Sequence, residues 1–217
     1  MVTPGPYVSE PAPADAILLF DGKDLGEWVS AKDGAPAQWS VQDGVFTVKP
    51  GAGSIETRRR FTDYQLHLEW RAPANVTGSG QGRGNSGLFL ASTGTGDAGY
   101  ELQILDSYNN KTYVNGQAGS IYKQFPPLVN AMRPPGQWQT YDVIWTAPRF
   151  NADRTLSRPA SATAFHNGIL IHNHVVLAGD TRYIGKPAYQ AHGPSPIKLQ
   201  DHGDPVSFRN VWVRELR

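Results

Sequence analysis

The 217-residue chain contains no cysteine, which excludes thiolate nucleophiles, disulfide staples and cysteine-ligated metal centres. It also lacks any apolar run near the roughly 18–20 residues that a membrane-spanning helix needs. Charge of one sign is scarce: the formal net charge is +1, and Arg58, Arg59 and Arg60 form the one basic run. Neutralising a phosphate backbone takes a longer basic stripe, so no nucleic-acid partner is expected. The run reads instead as the solvated end of a strand. No window of helical length keeps an uninterrupted 3.6-residue apolar period, so little helix is expected either.

What is present is turn chemistry between short apolar stretches. With 23 glycines and 17 prolines, the composition predicts many strands joined by turns. "QWSVQDGVFTVKP" reads as a hairpin turning at Asp43-Gly44, a dipeptide that tolerates the positive φ such turns require. "YQLHLEWRA" sets Leu66, Leu68 and Trp70 on one face and His67, Glu69 and Arg71 on the other. "NSGLFLAS", "YELQILD", "WQTYDVIWTA", "ATAFHNGILIHNHVVL", "PIKLQ" and "VSFRNVWVREL" continue the series. The economical reading is one all-β domain over residues 16–217, a two-sheet sandwich. Residues 1–15 form a proline-rich, charge-poor segment that suits a tether behind a removed export signal, so a periplasmic or extracellular location is expected.

Polar residues on strands mark the candidate site. In "GYELQILDSY", alternation puts Glu101 and Gln103 opposite Tyr100, Leu102 and Ile104, and Asp106 rejoins the polar face if a bulge intervenes. Such groups are either a solvated sheet surface or the floor of a polar site in which Glu101 exchanges protons. "GQGRGNSGLFL" lacks the following helix and the Lys-Ser/Thr of a phosphate loop. Its Asn85 and Ser86 are equally good turn formers and sugar-hydroxyl partners. His172 and His174 stand at strand spacing on one face, a metal-ligand pair with no nearby third ligand, and His166, at a hairpin turn, reads as structural. In "LQDHGDPVSFRN", Gln200 and His202 alternate with Leu199 and Asp201, and His192 lies a short loop upstream. A strand beside that of Glu101 would gather Glu101, Gln103, Gln200 and His202 on one face, with Tyr122 on a nearby loop. That set suits a carbohydrate or another polar metabolite. A non-catalytic sugar-binding module using Asn85, Tyr122 and Trp138 is the alternative.

Taken in order, "LLFDGKDLGEW", "GNSGLFL", "YELQILDS", "GSIY", "RPPGQWQTYDVIW", "HNGILIHNHVVL" and "HGPSPIKLQDHGDPVSFRNVWVREL" resemble the 3-keto-disaccharide hydrolase domain family across residues 16–217. The resemblance implies a concanavalin A-like jelly roll of two curved antiparallel sheets, with a carbohydrate site on the concave face. It also implies cleavage of 3-keto glycosides. Glucanases of similar fold carry Glu-x-Asp-x-x-Glu on the catalytic strand. Here Gln103 replaces the Asp and Asp106 the last Glu, which argues against a two-carboxylate retaining mechanism. A ketone at C3 offers elimination and hydration instead, with Glu101 or His202 moving protons. Donors such as Gln200 and Arg83, or a divalent metal held by Glu101 and His202, would stabilise the enolate. Arg83, Asn85, Ser86, Gln103, Asp106, Tyr122, His192 and Gln200 are the expected substrate contacts.

Overall fold

A computed structural model describes residues 1–216. Two antiparallel sheets form a sandwich, and helix among the described residues is confined to single 3-10 turns at Gly80–Gly82 and Val114–Gly116. The larger, eight-stranded sheet runs β13 (Ile169–Val176), β12 (Ser161–His166), β9 (Gln139–Thr146), β6 (Tyr64–Arg71), β15 (Ser207–Glu215), β4 (Val45–Thr47) and β3 (Ser40–Gln42), with β1 (Ile17–Phe20) also on β15. The smaller, five-stranded sheet runs β2 (Trp28–Ser30), β5 (Ile55–Thr57), β14 (Lys198–Leu199), β7 (Ser86–Ser92) and β8 (Gly99–Ile104). The polar stretch after Pro148 folds as a separate hairpin of β10 (Arg149–Phe150) and β11 (Leu156–Arg158).

Period-two patterning places the core as expected. Leu66, Leu68 and Trp70 of β6 are wholly buried against Leu88, Leu90, Tyr100 and Leu102 of the facing sheet. Buried aromatic hydroxyls tie the two layers: Tyr64 donates to the Leu90 carbonyl (2.5 Å) and Tyr141 to that of Gln103 (2.7 Å). Each such ring contributes roughly 1.5–3 kcal/mol of apolar burial, and the hydroxyl bond removes the cost of an orphaned polar tip. The β3–β4 hairpin turns at Asp43 (φ 52°) and Gly44 (φ 74°), the geometry that dipeptide favours.

One detail departs from the sequence reading and a second bears it out. His172 and His174 do not share a face. A register break in β13 leaves His172 buried, hydrogen-bonded to the Gly119 carbonyl at 2.6 Å, and His174 exposed at φ 48°. His166 is a core residue, edge-on to Tyr141 with ring centroids 4.9 Å apart, and burial holds it down to about 3, uncharged.

The outer face of β6 is not a solvated surface. His67 and Glu69 are buried there because the proline-rich N-terminal segment lies over them. Tyr7 donates to Glu69 (2.7 Å), Arg133 donates to the Gly5 carbonyl (2.8 Å), and Asn210 donates to the Glu10 carbonyl (3.0 Å). Arg209 Nε pairs with Glu69 at 2.6 Å, and His67 Nδ1 with Asp142 at 2.7 Å.

Candidate active site

β8 is the edge strand of its sheet, and two loop segments complete that edge. Tyr122 donates its N–H to the Glu101 carbonyl (3.0 Å), and residues 103 and 119–120 bond through their backbones beside it. Higher up, Thr181 donates its N–H to the Gly99 carbonyl (2.7 Å) and accepts the Glu101 N–H on Oγ1 (3.0 Å). This pairing sets Tyr122, Thr181 and Tyr183 around the outward-facing Glu101.

The strand holding Gln200 is not the neighbour of β8. β7 lies between them, and β14 ends at Leu199, so Gln200 and His202 stand on the loop beyond it. Both side chains still border one cavity, and the intervening residue between them is Gly87. A Cβ there would sit 2.7 Å from Glu101 Oε1 and 3.2 Å from Gln200 Oε1. The backbone of Gly87 does not need positive φ, so its role is to leave room. We expect Gly87→Ala to fold with roughly 1–3 kcal/mol lost, the ends of Glu101 and Gln200 giving way while the buried Phe89 ring, 3.2 Å from the added Cβ, holds its place. It should lower any Glu101-dependent turnover at least tenfold, about 1.4 kcal/mol of barrier. Parallel thermal melts and steady-state kinetics check this; a large stability loss with unchanged turnover would refute it.

Glu101, Gln200 and His202 border a cavity of about 450 Å³ with Asn85, Asp97 and Tyr122, within the range of small-molecule sites. One wall is aromatic. The Tyr113 and Tyr122 hydroxyls are 2.5 Å apart, and Lys123 Nζ sits 4.0 Å above the Tyr113 ring and 4.9 Å above that of Tyr183. Gln200 donates to Asp97 at 2.9 Å. His202 is exposed, on a loop fixed by its two flanking aspartates. Asp201 accepts the N–H groups of Gly203 (3.0 Å) and Gly53 (2.9 Å), and Asp204 accepts that of Asn85 (2.8 Å).

Among the described residues none donates a hydrogen bond to the Glu101 carboxyl. Burial, then the charge of Asp97, push it up to about 8 against the smaller opposing pull of Lys198. At neutral pH it therefore carries a proton to give. Burial and the Tyr113 contact likewise push the Tyr122 phenol well above its usual range, keeping it a donor.

The remaining expected contacts support the site or lie outside it. Gln103 lines the cavity too, its Nε2 donating to Asn85 Oδ1 (2.8 Å) and the Ser86 carbonyl (3.0 Å), while Ser86 donates to the Gln200 carbonyl (2.7 Å) as scaffolding. Arg83 does not line the cavity: its Nε is 2.8 Å from the buried Asp106, and that ion pair occupies both groups. His192 lies outside as well, against the Tyr100 hydroxyl at 3.0 Å. Trp138 is sandwiched by Arg71 (4.5 Å) and Arg209 (4.0 Å) beneath the N-terminal segment. Asp97, Tyr113, Thr181, Tyr183 and Gln81 went unread, since they reach the cavity on loops through long-range backbone pairing. The one signal was a cluster of tyrosines in loop sequence. Among the described residues no three His, Cys, Asp or Glu side chains gather around a point that could hold a metal ion. Glu101 and His202 are joined by no third ligand of that kind.

A model of the 3-keto-alpha-glucoside-1,2-lyase-like domain matches residues 15–214. A 3-keto-disaccharide hydrolase of Bacteroides thetaiotaomicron is 25% identical over 265 aligned positions, covering 95% of this chain and 80% of that protein. A candidate glycosyl hydrolase of Parabacteroides distasonis, solved by crystallography, is 50% identical with a TM-score of 0.90, covering 99% of this chain and 90% of the other. The carbohydrate recognition domain of Emp46p is 11% identical with a TM-score of 0.50, covering 94% and 98%, a likeness of fold alone.

Proposed function

Since the chain belongs to the 3-keto-alpha-glucoside-1,2-lyase-like domain family, we propose that its Glu101 pocket cleaves the glycosidic bond of a 3-keto glycoside by elimination and hydration. At the coarser level the chain is a glycosyl-hydrolase-like, carbohydrate-active protein. The observation that carries the finer reading is a buried carboxyl without a donor, facing an exposed imidazole and a tyrosine pair across one cavity.

The chemistry follows from what each group can do with a proton. A ketone at C3 acidifies the C2–H bond. His202, an imidazole at the cavity mouth, takes that proton as the general base. The electron pair moves onto the C3 oxygen as an enolate. One hydroxyl of the Tyr113–Tyr122 pair is engaged by the other, which leaves a second phenolic O–H to donate to that oxygen. The enolate collapses, the C1–O bond breaks, and Glu101 gives its proton to the leaving oxygen. Water then adds across the C1–C2 double bond. Its hydroxyl goes to C1 as Glu101 recovers a proton, and C2 regains one from His202. The sum is hydrolysis without redox change.

Turnover of a 3-keto glucoside in D2O tests this. The product should carry deuterium at C2 beyond the exchange of free product in the same buffer. Direct displacement at C1 would leave C2–H intact and overturn the route. A sugar-binding module would bind with no turnover at all.

A further inference from the structure

A second cavity lies on the same outer face of the smaller sheet. Strand register puts Glu56 of β5, Lys198 of β14, Phe89 of β7 and Glu101 of β8 in one row across that face. Glu101 borders the cavity already described; Glu56 borders another of about 310 Å³, with Arg60, Ser92 and Thr95. Between them Lys198 and Phe89 are both fully buried.

A lysine with no exposed surface calls for a cause, because an ammonium leaves water only where it finds strong partners. Among the described residues Lys198 forms no ion pair. Its Nζ instead donates to the Gly96 (2.7 Å) and Ala98 (3.1 Å) carbonyls and lies 4.1 Å above the Phe89 ring centre. Both carbonyls belong to the β7–β8 connection, residues 93–98. A third tie, Gln200 to Asp97 (2.9 Å), binds the same loop to the sheet. Thr93, Gly94 and Thr95 face the second cavity and Asp97 faces the first, so the loop stands as a partition with its underside bonded down.

We propose that residues 93–98, pinned by Lys198, are the specificity wall of the site: they close what would be a groove across the sheet, so that the keto sugar must be a chain end. This rests on the function proposed above. A glycan held by an internal unit needs an exit at both ends of the pocket. One exit lies under this loop, where the lysine leaves no passage.

Two probes decide it. One is a disaccharide carrying the 3-keto group on its non-reducing unit; the other is a trisaccharide carrying it on the middle unit. The wild-type protein should favour the first at least about 100-fold in kcat/KM, and Lys198→Met should narrow that ratio at least about tenfold. Comparable cleavage of both probes by the wild type, or an undiminished ratio in the variant, overturns the wall while the proposed function stands. No turnover of either probe by the wild type overturns the functional reading and this one with it. Should Lys198→Met fail to fold, the wild-type ratio decides alone.

Discussion

Glu101→Gln lowers kcat on a 3-keto glucoside by about 10²–10⁴-fold and makes the protein more stable than wild type at pH 9. Both effects come from one buried carboxyl. The amide keeps shape and volume but has no proton to deliver to the leaving oxygen. For stability, the group titrates near 4.5 when unfolded and about 8 when folded, so the folded chain holds the extra proton between those values. A raised carboxyl of this kind lowers stability as pH climbs through that window, by a total of roughly a few kcal/mol. The substituted amide has no proton to titrate, so the variant's stability should fall less than the wild type's over this window, by the share that Glu101 contributes. Wild-type activity should also decline as pH rises through about 8, when the acid form is lost. Chemical denaturation of both proteins at pH 5 and pH 9, with a pH–rate profile, checks this. Parallel stability curves, or a variant that turns over at the wild-type rate, would show that Glu101 holds no such proton.

Glu69→Ala costs about 3–5 kcal/mol of folding stability, the range for stranding a buried charge, yet leaves the chemistry alone. Arg209, Asn210, Tyr7 and His67 converge on that carboxylate, and its removal strands the Arg209 guanidinium and leaves the His67 imidazolium with Asp142 alone. Burial opposes the carboxylate, but the hydrogen bonds from His67, Asn210, Tyr7 and Arg209 outweigh it and hold Glu69 down to about 2. Burial also opposes the His67 cation, and Asp142 and Glu69 outweigh that to lift it to about 9. The carboxylate's contribution is present above pH 4.5 and lost as pH falls toward 2. The imidazolium's is present below 6.5 and lost as pH rises through 9. The cluster therefore supports the fold most between about pH 4.5 and 6.5. Denaturant midpoints should show the loss, and hydrogen exchange should show residues 2–10 released. A loss under about 1 kcal/mol with the segment still protected would mean that the cluster is not what holds it.

The core was legible because alternation is local. Leu66, Leu68 and Trp70 point inward by period alone, and Asp43-Gly44 turns by its own backbone preference. Glu101 was legible for the same reason, as a carboxyl on the face that alternation turns away from Leu102. What escaped depended on distant chain segments. His67 and Glu69 alternate like any solvated pair; nothing in "YQLHLEWRA" announces that Tyr7 covers them. Strand order was equally hidden, since β14 is two residues long and β7 intervenes. Glu101 and Gln200 share the cavity for a reason that strand adjacency does not supply: both side chains reach into the space that residue 87, having none, leaves open. Arg83 and Asp106 looked like two ligand contacts until they proved to be each other's partner.

The first fifteen residues, set apart by composition and lying almost wholly outside the matched family domain, also change what counts as the folded unit. Their backbone carbonyls and the Tyr7 hydroxyl complete the solvation of an ionic cluster that the sheet cannot complete itself. A boundary drawn at residue 15 would remove no strand and no part of the Glu101 pocket. It would nonetheless uncover the buried Glu69 and His67 charges, so the domain begins, energetically, some ten residues before its first strand does.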